Sequence, residues 1–508
     1  MFERLKAKTI DIEAGENKVI MSKKDAVKMG LRSQSRVKIS LGEKSAVAIV
    51  ELSETLVKEG ELGLLHRVIL NIDAKDGDEL LVAPSERPKS IEHIKEKLEG
   101  KELSEHAINE LIRDITDRKL SDIELSAYVS GVYAHGMTLR ETKDLTLAMI
   151  KTGESIEFDK HPIFDHHSIG GVPGNKITLL IVPIVAAAGL LIPKTSSRAI
   201  SSAGGTADIF EVLADVNLSI PQIKSITEEI GGVIAWGGAI NVAPSDDLII
   251  RAEYPLRIDP YAQVLASVLS KKKASGSEYL VMDIPMGPNT KVPNVEVARK
   301  YARDFVSLGE DIGINVQCAI SYGGQPVGEG IGPAIEAREA LRALEGKDVP
   351  NSLIEKSVEL AGMILEQGGV SEGSGKEKAK EILNNGMALD KMKEIIQYQN
   401  GDPDVTSEDV EVGKLTNDIL CDRDGYIGGI NNRCIIEIVR AAGAPFCKGS
   451  GLTLTKKRGD KVDKDEVLYT IYSDNKNNLL EATKLANHFK PIMVEGMILE
   501  KHPSYRMV

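Results

Sequence analysis

Through residues 1–86 the apolar positions come in short runs, KVIMS, SRVKISLG, SAVAIVEL, HRVILNI and DELLVAP, separated by Gly and Asp turns. Runs of this length bounded by turn residues predict strands, so 1–86 is expected to be a small β-rich N-terminal domain with a role in assembly. The polar linker PSERP closes it. Beyond the linker the spacing becomes helical. Ser121 with Glu124, and Thr138 with Glu141, each stand three apart ahead of an apolar-periodic run, a pattern that caps helix starts reciprocally. Lys151-Thr152-Gly153 supplies a basic last turn and a stop.

From about residue 160 to 415, strand-like runs (LLIPKT, GVIAW, YLVMDIP, INVQCAIS) alternate with expected helices at 177–188, 261–273, 293–308 and 332–343. Such alternation predicts an α/β domain with a mixed or parallel sheet. The helix at 261–273 is rich in small residues and fits the helical lobe as well. We therefore expect an α/β multidomain protein with four parts. These are the β-rich domain 1–86, a helical lobe of 87–155 plus about 255–275, an α/β lobe of 156–254 plus 276–415 with a mixed sheet, and a β-rich, barrel-sandwich-like domain at 416–508. A chain that leaves one lobe and returns is expected to build a cleft between the two.

Composition narrows the function. A net charge of −13 and 4% aromatic residues argue against a basic face or a stacking platform for nucleic acid polymers. The apolar run 177–193 contains Pro183 and Gly189 and is too short for a membrane span. The first residues lack the apolar core of a secretory signal. Cys318, Cys421, Cys434 and Cys447 form no CxxC pair, which fits a reducing cytoplasm better than a zinc site or a disulfide scaffold. Asp246-Asp247 and Asp422/Asp424 are read as solvated turn charges, so no metal and no cofactor is expected.

Candidate chemistry gathers in three stretches. DHHSIGGVPGNK (165–176) places glycines, which let backbone amides turn toward one point, ahead of an apolar helix expected to start near Lys176. KTSSRAISSAGGTAD (194–208) follows an expected strand and carries many hydroxyls with one arginine, Arg198. YPLRIDPYAQVLASVLSKKKASG sets Ser267, Ser270 and Lys271 on neighbouring helical faces, with Arg257 and Asp259 just ahead. Uncharged donors around glycine turns suit an oxyanion such as phosphate.

These three stretches, in this order, resemble the thymidine/pyrimidine-nucleoside phosphorylase family. Its phosphate signature D-K-H-S-T-G-G-V-G-D, T-G-G-T-x-D loop and S-x-x-S-K-K helix appear here as DHHSIGGVPGNK, SSRAISSAGGTAD and SVLSKK. The resemblance covers about 90–508. Within the family the chain is most similar to the archaeal branch that acts on nucleoside 5′-monophosphates and carries an added N-terminal domain. It implies phosphorolysis of AMP to adenine and ribose 1,5-bisphosphate, with CMP and UMP also used, inorganic phosphate as co-substrate, and homodimers able to form larger particles. Site residues carry over position by position. Asp259 and His167 would be catalytic. Gly171, Ser197, Arg198, Ala199, Ile200, Ser201, Ser202, Thr206, Ser267 and Lys291 would contact the nucleotide. Ser168, Thr178 and Ser196 would contact phosphate. The chain departs from the family at His166, where a lysine is usual, at one extra loop residue near Pro173, and at Ser201 and Ser202, whose hydroxyls suit a 5′-phosphate. The nearest alternative is an ordinary pyrimidine-nucleoside phosphorylase. An anthranilate phosphoribosyltransferase-like enzyme and a non-catalytic nucleotide binder are further rivals.

Overall fold

A computed structural model describes residues 2–199 and 202–496. The chain divides into two compact units, Met1–Gly153 with Ala243–Ser267, and Glu154–Val242 with Val268–Val508.

The first unit opens with β1 (Glu3–Ile10), β2 (Lys18–Ser22), α1 (Lys23–Met29), β3 (Arg36–Leu41), β4 (Lys44–Ser53), β5 (Glu61–Leu65), α2 (His66–Ile72) and β6 (Glu79–Pro84). The strands close into a barrel in the order β1-β5-β2-β4-β3-β6. Closure leaves no free sheet edge, and Val19, Met21, Val37, Ile39, Leu62, Leu64 and Val82 fill the interior. HRVILNI is helix α2, not a strand. Its buried residues Val68 and Ile72 stand four apart on one face while Leu70 faces solvent, and Asp73 ends it in a left-handed conformation.

Helices α3 (Ser90–Leu98), α4 (Glu105–Thr116), α5 (Asp122–His135) and α6 (Leu139–Lys151) follow. Both capping boxes form, at Ser121/Glu124 and Thr138/Glu141. The four helices share a core with Leu248, Ile249 and Ala266 from the returning segment. Arg36 of the barrel pairs with Glu124 of α5 and donates to the Lys119 carbonyl at 3.1 Å.

In the second unit, β7 (Phe164–Ser168), α7 (Thr178–Ala187), β8 (Ile192–Ser196), α8 (Thr206–Phe210), α9 (Ile220–Ile230) and β9 (Gly232–Trp236) come first. The chain then passes through the first unit as α10 (Pro244–Leu256) and begins α11 (Tyr261–Ala274). The returning segment thus starts at Ala243, well before the expected residue 255, because Leu248, Ile249 and Ala252 of α10 already bury an apolar face in the bundle core. It gives way to the second unit within α11.

Next come β10 (Tyr279–Met286), α12 (Val295–Asp311), β11 (Asn315–Tyr322), β12 (Gly330–Ile331), α13 (Pro333–Leu344), α14 (Asn351–Gln367), α15 (Gly375–Asn384) and α16 (Met387–Tyr398). Strands β11-β10-β7 form one parallel sheet and β8-β9 another, joined edge to edge by a parallel bridge between Ile163 and Leu191. The expected mixed sheet is therefore parallel throughout its described strands. Helical crossovers return each strand in the same direction. Helix α7 is its hydrophobic anchor. Leu179, Leu180, Ile181, Val182, Ile184 and Val185 are all fully buried, as expected of a helix apolar on every face.

The remaining strands β13 (Leu415–Leu420), β14 (Gly425–Ile430), β15 (Gly451–Leu454), β16 (Lys461–Val462), β17 (Val467–Ser473) and β18 (Ile492–Glu495) make two antiparallel sheets, β12-β15-β17-β13 and β16-β14-β18. Two helices, α17 (Asn432–Ala442) and α18 (Lys476–Phe489), pack with them, which the β-rich expectation for this segment does not include.

Candidate active site

Strand β7 ends in Asp165-His166-His167-Ser168, at the carboxyl edge where open parallel sheets place ligands. Asp165 is fully buried and accepts from Lys272 Nζ at 2.7 Å and from Ser277 Oγ at 3.2 Å. Lys194 Nζ lies 3.5 Å from the same carboxylate and donates to the His166 carbonyl. His166 Nε2 and Thr178 Oγ1 are 3.0 Å apart, whereas the buried His166 Nδ1 has no hydrogen-bond partner. Burial first, then the Lys194 and Lys272 charges, holds both His166 and His167 well below the ordinary imidazole range. Both rings are therefore neutral at pH 7, each with one N–H to donate.

The loop beyond β7 turns on glycines. Gly171 has φ +85°, and a Cβ there would sit 2.9 Å from the Lys291 backbone nitrogen. Gly174 has φ +73°, and its Cβ would meet the Val327 carbonyl at 2.5 Å. The loop thus approaches two other backbone segments more closely than a side chain allows. Asn175 Nδ2 donates to Ser168 Oγ at 3.1 Å. Helix α7 starts at Thr178, within a residue of the expected 177. Lys176 lies inside the fold, donating to Glu339 and to the Val327 and Gly330 carbonyls. It anchors the loop.

At the end of β8, Ser196 Oγ donates to the Ala235 carbonyl at 3.3 Å; beyond it Ser197 is exposed, and Ser202 Oγ donates to the Gly204 carbonyl. Arg198 is committed internally. It pairs with Glu211 and Asp208, and its guanidinium stacks 4.7 Å from the centre of the Trp236 ring. Asp208 also accepts from the amides of Ala199 at 2.7 Å and Gly205 at 3.0 Å. Arg198, expected to contact the nucleotide, also holds the shape of its own loop through these partners. Thr206 begins α8. Ile200 and Ser201 lie outside the described residues.

In the first unit, Asp259 is exposed between α10 and α11. Ser267 Oγ donates to Asp246 Oδ2 at 2.7 Å, and Gln263 Nε2 to Asp246 Oδ1 at 3.2 Å. Asp246 is fully buried and Asp247 exposed. The solvated-turn reading therefore fails for Asp246, which sits on the inward side of α10 and fixes Ser267. By contrast, Asp422 is exposed and pairs with Arg423 and Lys490.

The second unit brings His167, Ser168, Gly171, Thr178, Ser196 and Lys291 to the strand ends and loops around β7 and β8. Sequence reasoning missed Asp165, Lys194 and Lys272, which lie buried beneath them. The one available signal was a lysine inside the apolar run LLIPKT, since a charge in a buried strand demands a partner.

Residues 91–153 match a model described as the glycosyl transferase family helical bundle domain, 160–389 its a/b domain, and 426–492 the pyrimidine nucleoside phosphorylase C-terminal domain. An AMP phosphorylase of Methanosarcina acetivorans is 50% identical over 501 residues, covering 98% of this chain and 99% of the relative. The chain belongs to the AMP phosphorylase family. AMP phosphorylase 1 of Archaeoglobus fulgidus is 48% identical, covering 97% and 98% of the two chains. The AMP phosphorylase of Thermococcus kodakarensis is 47% identical, covering 98% and 99%. Among solved structures, anthranilate phosphoribosyltransferase from Thermus thermophilus superposes with a TM-score of 0.51 at 18% identity, over 61% of this chain and 99% of that one. It shares the fold. The chain therefore combines a helical bundle, an α/β domain and a pyrimidine nucleoside phosphorylase C-terminal domain, and part of its fold is shared with a phosphoribosyltransferase. Among the described residues no helix is long and apolar enough to cross a membrane.

Proposed function

We propose that this chain catalyses phosphorolysis of nucleoside 5′-monophosphates, converting AMP and phosphate to adenine and ribose 1,5-bisphosphate, with CMP and UMP as further substrates and no resident cofactor. The observation that carries the chemistry is the cluster beneath the β7–α7 loop, where two buried lysines, Lys194 and Lys272, share the one carboxylate of Asp165. In a chain of net charge −13, that local surplus of lysines over carboxylates is what favours an anion there. Full-length similarity to AMP phosphorylases supports the nucleotide over the nucleoside as substrate.

Breaking an N-glycosidic bond builds positive charge on the ribose and negative charge on the departing base. A catalyst must stabilise both. In this reading Ser168, Thr178, Ser196 and the 170–174 backbone hold phosphate in line with the anomeric carbon, and orientation supplies most of the acceleration. Neutral His167 donates one hydrogen bond without adding charge. Gly171, the 197–202 loop, Thr206, Ser267 and Lys291 hold the nucleotide, and Asp259 delivers a proton to the base. The active form is a homodimer, and the N-terminal barrel extends the assembly.

The deciding assay incubates the protein with AMP, with and without phosphate. Adenine and a doubly phosphorylated pentose should form only with phosphate. Equal adenine release without phosphate would overturn the proposal, and faster turnover of uridine than UMP would replace it with a nucleoside phosphorylase.

A further inference from the structure

The phosphorolysis scheme gives Lys194 no step of its own. Lys194 on β8 and Lys272 on α11 face the same Asp165 carboxylate on β7, Lys272 at 2.7 Å and Lys194 at 3.5 Å. All three side chains are at most 4% exposed. Lys272 also donates to the Thr195 carbonyl at 3.1 Å, and Lys194 to the His166 carbonyl. Among the described residues, Asp165 is the carboxylate within ion-pair distance of both. One carboxylate neutralises one ammonium, and an uncompensated buried charge is costly.

Among the described residues, the surroundings do not supply the missing charge. His166 and His167 on β7 are held neutral. Lys271 on α11 and Lys291 ahead of α12 add positive potential at His167. Lys356 on α14 also acts on His166 and is already opposed by Asp283 of β10 at 2.8 Å. Burial, reinforced by Lys272 and only partly offset by Asp165, brings Lys194 down to about 7. At rest near neutral pH a large fraction of Lys194 is therefore uncharged, while its hydrogen bond to the His166 carbonyl sits two residues before Ser168.

We infer that Lys194 is a positioning residue that answers the incoming oxyanion: it takes a proton from solvent as a dianion enters the β7–α7 loop and, through the His166 carbonyl, holds the His167–Ser168 end of β7 against it. The inference rests on reading that loop as the anion seat. A dianion nearby favours the charged lysine, and by linkage the charged lysine favours the dianion equally. Anion affinity should then fall as pH rises above neutrality, because deprotonation removes the counter-charge.

Sulfate separates this from the chemistry of the reaction, since it stays a dianion across the neutral range and cannot complete phosphorolysis. Calorimetric titration of the full-length protein with sulfate near pH 8, in two buffers of different ionisation enthalpy, reads the protons exchanged. The wild type should take up a substantial fraction of one proton per site. Lys194→Met should lose the uptake and bind sulfate about two-fold more weakly near pH 8, widening toward about ten-fold near pH 6, as one pKa unit of coupling to a lysine near 7 requires. Lys194→Arg, permanently charged, should bind without uptake. Sulfate binding to the wild type with no proton exchange, or no sulfate binding at all, would overturn the inference whether or not the variants fold. So would uptake retained in Lys194→Met. Wild-type proton uptake without AMP phosphorolysis would instead remove the functional reading while leaving the lysine's response to an anion in place.

Discussion

The Lys272 ammonium donates to the Asp165 carboxylate at 2.7 Å, and neither side chain is more than 2% exposed. The pair joins a helix to a strand 107 residues earlier. Removing one partner leaves a buried charge without its counter-ion, which costs about 3–5 kcal/mol. Asp165→Asn should therefore lower the denaturant midpoint sharply, with Lys194 and Lys272 left facing each other. Asp165→Asn combined with Lys272→Met should recover part of the loss. A single variant as stable as wild type would mean that the pair is not a structural tie.

Asp259 tests the proposed proton donor. Asp259→Asn keeps the shape and removes the acid, so kcat for AMP should fall by about 10²-fold or more while KM for AMP changes little. Wild-type turnover would exclude it from that role.

Gly171 tests the loop. Alanine there must adopt φ +85° and place a methyl 2.9 Å from the Lys291 nitrogen. Strain of this kind costs on the order of 1–3 kcal/mol. Gly171→Ala should raise KM for AMP and phosphate with a smaller change in thermal midpoint, since the loop shifts before the core does. Unchanged KM values would show that the close approach is not needed for binding.

Glu336 on α13 is fully buried, accepts from the Gly332 amide at 3.1 Å, and is pushed up to about 7 by burial, against the opposing pull of Lys176. The folded state binds more protons than the unfolded state between about 4.5 and 7. Its contribution to stability is present below that window and is lost as pH rises through it. Glu336→Gln keeps an acceptor and cannot ionise. It should gain on the order of 1–3 kcal/mol over wild type at about pH 8 and little at about pH 4.5, as read from urea midpoints. Equal pH dependence in the two proteins would rule this out.

Features that act over a few residues are legible in the chain. The capping boxes at Ser121 and Thr138 form as expected, because both partners lie within one helical turn. The strands GVIAW and YLVMDIP and the helix after Asn175 likewise follow from local pattern. HRVILNI departs from its strand expectation because a short apolar run serves a strand or a helix equally well. Only its packing, with Val68 and Ile72 inward, decides.

The sequence by itself determined the capped helices, the strand–helix alternation of the α/β segment, the glycine turns beside the expected anion seat, and the family to which the chain belongs. Tertiary structure alone decided which charges are spent inside the fold. Arg198 turns to Glu211 and Asp208, Asp246 is buried under Ser267, and Asp165, Lys194 and Lys272 meet from three separate segments. The reason is physical. Local backbone preferences are written within a few neighbouring residues, whereas the cost of a buried charge depends on every group the fold brings within a few ångströms of it.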